Sequence, residues 1–162
     1  MRVFLLTSLV CCFLSTSLCA YDGSKRKWFF LHGGLDLATA VIGATASNSF
    51  GYSLGYGIGL SKDFLISLDI GGGFNLKGEG TVQGVGNIMY YLDNFSYASI
   101  GSGTCAVLLR EVIEEDLCIF FGYGKHLSLG SSIELRVGVM ENTLEEYGQA
   151  YISTVRYRGF WF

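Results

Sequence analysis

From Phe50 to Ser61 the chain alternates with a period of two. Phe50, Tyr52, Leu54, Tyr56, Ile58 and Leu60 take the even positions; Gly51, Ser53, Gly55, Gly57, Gly59 and Ser61 take the odd ones. Successive side chains of a strand point to opposite faces, so the segment predicts a strand with one greasy face and one nearly bare face. A solvated strand face carries Lys, Glu, Thr and Gln, not a row of glycine and serine. Hydrocarbon outside and a narrow lumen inside account for both faces at once. The same alternation puts Phe64, Ile66, Leu68, Ile70, Gly72, Phe74 and Leu76 against Leu65, Ser67, Asp69, Gly71, Gly73 and Asn75. It returns with Leu127, Leu129, Ser131, Ile133, Leu135, Val137 and Val139 against Ser128, Gly130, Ser132, Glu134, Arg136 and Gly138.

Extending this pattern predicts strands over about 28–40, 50–60, 64–76, 81–92, 95–109, 117–124, 127–139 and 150–162. In the first, Phe29, Leu31, Gly33, Leu35 and Leu37 face out, and Phe30, His32, Gly34 and Asp36 face in. Short turns at 61–63, 93–94 and 125–127 recur about 32 residues apart, a hairpin period without a solenoid motif. Longer loops fall at 41–49, 77–80, 110–116 and 141–149. About eight strands with alternating short and long connections predict an all-β, antiparallel up-and-down transmembrane β-barrel. The absence of proline fits a closed barrel, because every strand is central and uses its N–H groups.

Aromatic residues sharpen the orientation. Trp28, Phe29, Phe64, Tyr90, Tyr91, Phe95, Tyr97, Tyr123, Phe160, Trp161 and Phe162 fall near the ends closed by short turns or chain termini. Phe50, Tyr52, Phe74 and Tyr151 fall near the other rim. Two belts at membrane–water interfaces produce this distribution. The competing account is the packed core of a soluble β-sandwich.

Residues 1–20 read as a secretory signal: Arg2 supplies a positive start, Val3 to Leu14 is apolar, and Ser17-Leu18-Cys19-Ala20 offers cleavage before Tyr21. The apolar run is short for a helical span of about 20 residues. Cys19 raises a lipoprotein reading, but Leu18 is not the small residue that such processing wants before its cysteine. The expected organisation is a signal peptide at 1–20 and an outer-membrane barrel domain at 21–162. Removing the signal takes Arg2 and no acid, so the formal charge moves from -3 to -4. So mild a charge, with no basic stripe, does not suggest nucleic acid as a partner. The residues are 50% hydrophobic and 15% charged, yet the mature chain has no uninterrupted apolar run of about 18 residues. Strands carry a weaker hydropathy signal than helices, and fit a greasy chain without a long run.

At this point the chain resembles the small eight-stranded outer-membrane barrels, the transmembrane domain of OmpA and the OmpX type. The resemblance covers the mature chain and rests on pattern, length and the terminal Phe162. It implies insertion by the barrel-assembly machinery, with Phe160 and Phe162 as the assembly signal, and no cofactor. The last strand departs from the family pattern. Counting back from Phe162 gives Phe160, Arg158, Arg156 and Thr154, where apolar residues are usual; Trp161, Gly159, Tyr157, Val155, Ser153 and Tyr151 suit lipid better. Either a bulge near Gly159 shifts the face, or the signal is atypical.

Of the cysteines outside the signal, Cys105 continues the row Phe95, Tyr97, Ser99, Gly101 and Gly103, taken as outward, while Cys118 lies inward between Leu117 and Ile119. Opposite faces predict free thiols. Catalysis finds little support. A barrel enzyme acting on lipid A needs a nucleophile and base near the outer leaflet. His32 is lumenal, and His126-Leu127-Ser128 sits at a short turn on the other side. Gly71-Gly72-Gly73 lacks the lysine and helix of a phosphate loop, and no cysteine–histidine spacing suggests zinc. Glu111, Glu114, Glu115 and Asp116, with Glu141, Glu145 and Glu146, form acidic outer loops. These either hold divalent cations that bridge to lipopolysaccharide phosphates or simply stay solvated. Asp36, Asp69, Glu134, Arg136, Arg156 and Arg158 are predicted to point inward and form a lumenal charge network. Two functions fit: a monomeric, non-enzymatic structural or surface-interaction protein of the outer membrane with a plugged lumen, or a narrow gated pore.

Overall fold

The computed structural model describes residues 29–93, 95–109, 112–128, 130–141 and 149–161. The signal segment lies outside them. Eight strands follow in chain order: β1 (Phe29–Ile42), β2 (Thr45–Gly59), β3 (Phe64–Phe74), β4 (Gly80–Tyr91), β5 (Ser96–Leu109), β6 (Val112–Ser128), β7 (Ser131–Met140) and β8 (Ala150–Trp161). Each is antiparallel to its neighbours, and β1 pairs with β8, so the sheet closes into a barrel.

The outer face is apolar around the whole circumference. Leu37, Leu54, Ile70, Ile88, Ile100, Ile119, Leu135 and Val155, one from each strand, are all exposed, Ile70 at 63%. In water such a surface would aggregate; in hydrocarbon it is the solvent-matched face of a closed sheet with no free backbone edge.

Several expectations about where strands end are overturned. Residues 41–49 are not a loop: β1 and β2 continue to a two-residue turn at Gly43-Ala44, where Gly43 has a φ of 56°. Small residues such as Ser47, Ser49 and Ala40 pair across the ladder without crowding, so nothing interrupts the hydrogen bonds before that glycine. The acidic segment is not a loop either, because β6 begins at Val112 and pairs to Leu109. Nor does a turn form at 125–127. Lys125 and His126 remain in β6, a bulge separates His126 from Ser128, and β7 begins at Ser131. Leu127 therefore belongs to β6, where it faces out.

The largest correction concerns β5. Tyr97, Ser99 and Cys105 are buried in the lumen, while Ile100 and Ser102 face out, the reverse of the expected register. Its two rows are nearly equal in hydrophobicity, so alternation alone gave no vector. Steric fit decides: a side chain at Gly101 would strike Asn87, and one at Gly103 would strike the Gly84 carbonyl. With both cysteines inward, Cys105 and Cys118 form a disulfide across β5 and β6, Cα atoms 6.1 Å apart. The free-thiol expectation is wrong for the same reason.

The inner aromatic belt is also split. Phe29, Phe64, Tyr90, Phe95 and Tyr123 are exposed on the outer face, but Tyr91, Tyr97 and Phe160 are buried in the lumen. The last strand has no bulge: β8 pairs continuously with β1 from Ala150 to Trp161 and with β7 from Ala150 to Gly159.

Candidate functional site

Strand alternation sends Asp36 of β1, Asp69 of β3, Glu134 and Arg136 of β7, and Arg156 and Arg158 of β8 into the barrel, where all six are buried. β8 lies between β1 and β7, with Arg156 in register with both Asp36 and Glu134. Arg156 grips Asp36 with two parallel bonds, Nε to Oδ1 at 2.7 Å and Nη2 to Oδ2 at 2.8 Å. Its remaining nitrogen, Nη1, crosses the lumen to Asp69 Oδ2 at 3.0 Å. Arg158 Nη2 meets the same Asp69 oxygen at 3.1 Å and Glu134 Oε2 at 2.8 Å. The result is one chain of alternating charge, Asp36–Arg156–Asp69–Arg158–Glu134, spanning β1, β8, β3 and β7. Bidentate and charge-assisted contacts of this kind are the stronger hydrogen bonds of proteins.

Asp69, not Asp36, is the hub. His32 Nε2 lies 3.0 Å from its other oxygen, Ser67 Oγ donates to it at 3.1 Å, and Arg136 Nη1 stands 3.8 Å from Oδ2. Arg136 turns aside from Glu134, donates to Asn87 Oδ1 at 2.9 Å and lies over the Phe120 ring at 4.5 Å. Ser53 donates to Asp36 Oδ1, the oxygen that also accepts from Arg156 Nε, and Ser99 donates to Glu134 Oε1, the oxygen not facing Arg158. Three carboxylates oppose three guanidinium groups, and the layer balances while His32 is neutral. Balance matters because an unpaired charge at membrane depth is costly.

Apolar side chains seal the layer on both sides. Toward the end that carries the β1–β2 and β7–β8 connections lie Ile42, Val85, Val107, Leu109, Phe120, Met140, Ile152 and the Cys105–Cys118 disulfide. Toward the opposite end, beside the β2–β3 and β4–β5 connections, lie Phe30, Leu65, Met89, Tyr91, Tyr97 and Phe160. His126 closes this second plug: its ring stacks on Tyr91 with centroids 5.6 Å apart, and Nε2 meets Tyr91 Oη at 3.0 Å. It also packs 5.5 Å from the Phe160 ring. His126 is thus a half-buried part of the plug, not an exposed turn residue beside a serine; the Ser128 side chain lies outside the described residues.

The other expected sites come together less. Glu115 is exposed on β6, Asp116 is half-buried there, and Glu141 is exposed just past β7. Glu111, Glu145, Glu146 and the Glu114 side chain lie outside the described residues, as does Phe162. Among the described residues no three His, Cys, Asp or Glu side chains gather to hold a metal. Sequence reasoning missed His32 and Asn87 as members of the layer, and Tyr91, Tyr97 and His126 as a plug. The inward position of His32 was legible; its pairing with a residue on β3, two strands away, was not.

A closed eight-stranded barrel with a lipid-matched wall and a charged, side-chain-filled lumen defines a membrane-spanning β-barrel of the outer-membrane type. No protein-family model matches the chain, and no curated protein matches its sequence. Solved structures do match in fold. Neisserial surface protein A is similar with a TM-score of 0.54 at 12% identity, covering 85% of this chain and 97% of that one. The attachment invasion locus protein Ail of Yersinia pestis gives 0.54 at 9% identity, covering 82% and 97%. A de novo designed transmembrane β-barrel gives 0.53 at 11% identity, covering 82% and 95%. Because a designed chain is among these matches, the shared fold by itself defines no role.

Proposed function

We propose that this protein is a structural or surface-interaction barrel of the bacterial outer membrane, non-enzymatic and monomeric, with its lumen plugged by its own side chains. The observation that carries this reading is the sequence of layers along the lumen. A charge-balanced layer lies between two apolar clusters, and ions crossing it would have to displace both the clusters and the ion pairs. Export through the periplasm and insertion by the barrel-assembly machinery, with Phe160 and Phe162 as signal, belong to the same proposal, as does contact with lipopolysaccharide at the outer rim. Phe160 is itself packed in the inner plug, so its substitution tests plug and signal together. Deleting Phe162 tests the signal alone, and should lower the yield of assembled barrel more than changing Tyr151 does. The plug is tested in a planar bilayer: the wild-type protein is expected to insert without single-channel steps.

One observation favours a narrow gated pore as the second reading. Arg136 Nε, Arg158 Nε, Thr154 Oγ1 and Gln83 Oε1 are buried without a hydrogen-bond partner among the described residues. Buried polar atoms of this kind are commonly met by internal water. A hydrated middle layer would conduct once both plugs moved. Discrete conductance steps from the wild-type barrel would support this reading and overturn the plug.

A further inference from the structure

His32 stands where two layers of the lumen meet. Its Nε2 lies 3.0 Å from Asp69 Oδ1, so it touches the hub of the charge layer. Its ring also packs against Phe30 and Phe160, with centroids 5.8 and 5.9 Å away, and so touches the inner plug. The side chain is fully buried. A nitrogen that close to a carboxylate oxygen carries the proton, which leaves Nδ1 as the basic nitrogen. Nδ1 is buried and has no hydrogen-bond partner among the described residues.

The ionisable groups around the ring fix what a second proton does. β3 presents Asp69, β8 presents Arg156 and Arg158, and β7 adds Glu134 through Arg158. Asp36 follows on the same strand, paired to Arg156, and β2 presents Gly55 against the ring. Beyond Phe160, His126 of β6 lies against Tyr91 of β4 and Tyr97 of β5. Three carboxylates balance three guanidinium groups, so a proton on Nδ1 takes the layer from neutral to one net positive charge. A buried charge without compensation is costly. The imidazolium also repels Arg158, which shares Asp69 with it. Arg158 itself bears on the inner plug, with its guanidinium carbon 5.8 Å from the Phe160 centroid and Nη1 3.5 Å from Met89 Sδ. The disturbance therefore reaches that plug from two neighbours at once. The outer cluster, closed by the disulfide, meets the layer at Arg136 instead. We propose that His32 is an acid-sensitive latch: a second proton on its imidazole loosens the inner plug while the outer cluster stays shut. This rests on the plugged-lumen reading of the barrel.

Two methionines supply the test, because Met89 lies in the inner plug and Met140 in the outer cluster, both buried. Peroxide converts an accessible methionine to its sulfoxide. The barrel in lipid nanodiscs, which leave both ends open to solution, is treated with hydrogen peroxide. Oxidation at each methionine is read by peptide mass spectrometry, and heat-modifiable gel migration records the fold. At about pH 7.5 both methionines should be protected; at about pH 5.5, Met89 should oxidise about tenfold faster and Met140 no faster. His32→Gln cannot take the charge, and should keep Met89 protected at both values. His126→Gln should retain the acid response, and decides between the chain's two histidines even where His32→Gln fails to fold. Three results would overturn the latch: no acid response in the wild type, a response retained by His32→Gln, or none in a His126→Gln barrel that protects Met89. So would Met89 and Met140 oxidising together, since that is unfolding of the whole barrel. Rapid oxidation of Met89 at the higher pH would instead remove the plug itself, and the latch with it.

Discussion

The lumen and the outer wall of this barrel are built from the same strands, one residue apart, and obey opposite rules. Inside, space is scarce and every charge is near an opposite charge; a Cβ added at Gly55 would press on His32, and one at Gly124 would collide with Tyr97. Outside, large apolar side chains stand free in the lipid, and Gly84 and Gly86 have open space beside them. The lesson is that specificity resides in the lumen. The wall needs only to be apolar, whereas the lumen needs particular residues opposite one another on strands far apart in sequence.

Removing a lumenal charge should have the largest effect. Arg156→Ala strands Asp36 and leaves Asp69 with fewer partners, and losing one member of a buried pair costs about 3–5 kcal/mol. Urea unfolding in lipid vesicles checks this. Arg156→Lys should recover part of the loss, because a lysine cannot reproduce the two parallel bonds to Asp36. An Arg156→Ala barrel as stable as wild type would show the charge layer to be incidental.

The wall should respond to charge but not to detail. Leu54→Arg, Ile70→Arg and Leu135→Arg each place a charge on the outer face, at an expected cost of about 2–4 kcal/mol near the bilayer midplane. The corresponding changes to Met should be nearly silent in the same unfolding measurement. Sensitivity of the wall to such apolar swaps, as great as that of the lumen, would break the contrast.

The outer plug should respond less than either. Closing a loop with sequence separation 13, the Cys105–Cys118 bond should contribute about 2–3 kcal/mol. Cys105→Ser/Cys118→Ser is expected to lower stability by that amount, and reduction of the wild type to match it. Equal stability of oxidised and reduced barrels would detach the disulfide from the plug's stability.

The smallest effect belongs to a turn outside the membrane. The Ser96 hydroxyl and the Phe95 and Ser96 amides donate to Asp93 and hold its carboxyl below the usual range. Because that pKa is depressed in the folded state, its contribution is complete above the unfolded value of about 3.9 and is lost as pH falls through the folded one. Asp93→Ala should therefore speed amide exchange at Ser96 near neutral pH and match wild type at acid pH. A difference independent of pH would assign the effect to backbone geometry instead.

Where alternation was strong, the sequence was an adequate guide. β1, β2, β3 and β8 show their inward and outward rows as read from periodicity, including Arg156 and Arg158 on the lumenal side. Where both rows were alike, as in β5, it was not, and the cysteine pairing went with it. Strand ends were illegible for another reason. Nothing in residues 41–49 or 112–116 forbids a ladder, and a polar strand that rises beyond the hydrocarbon reads like a loop.

By itself, then, the chain determined the fold class, the lipid-facing wall and which charges enter the barrel, because a period of two is a local property that each strand carries alone. Only the closed structure decided that Asp69 is the hub, that Arg136 turns to Asn87, that Tyr91, Tyr97 and His126 form a seal, and that His32 joins the charge layer to the inner plug. Those depend on the relative stagger of non-adjacent strands around the barrel. Stagger is set by the sum of all the pairings and by which side chains can share a narrow lumen, and no single strand records it.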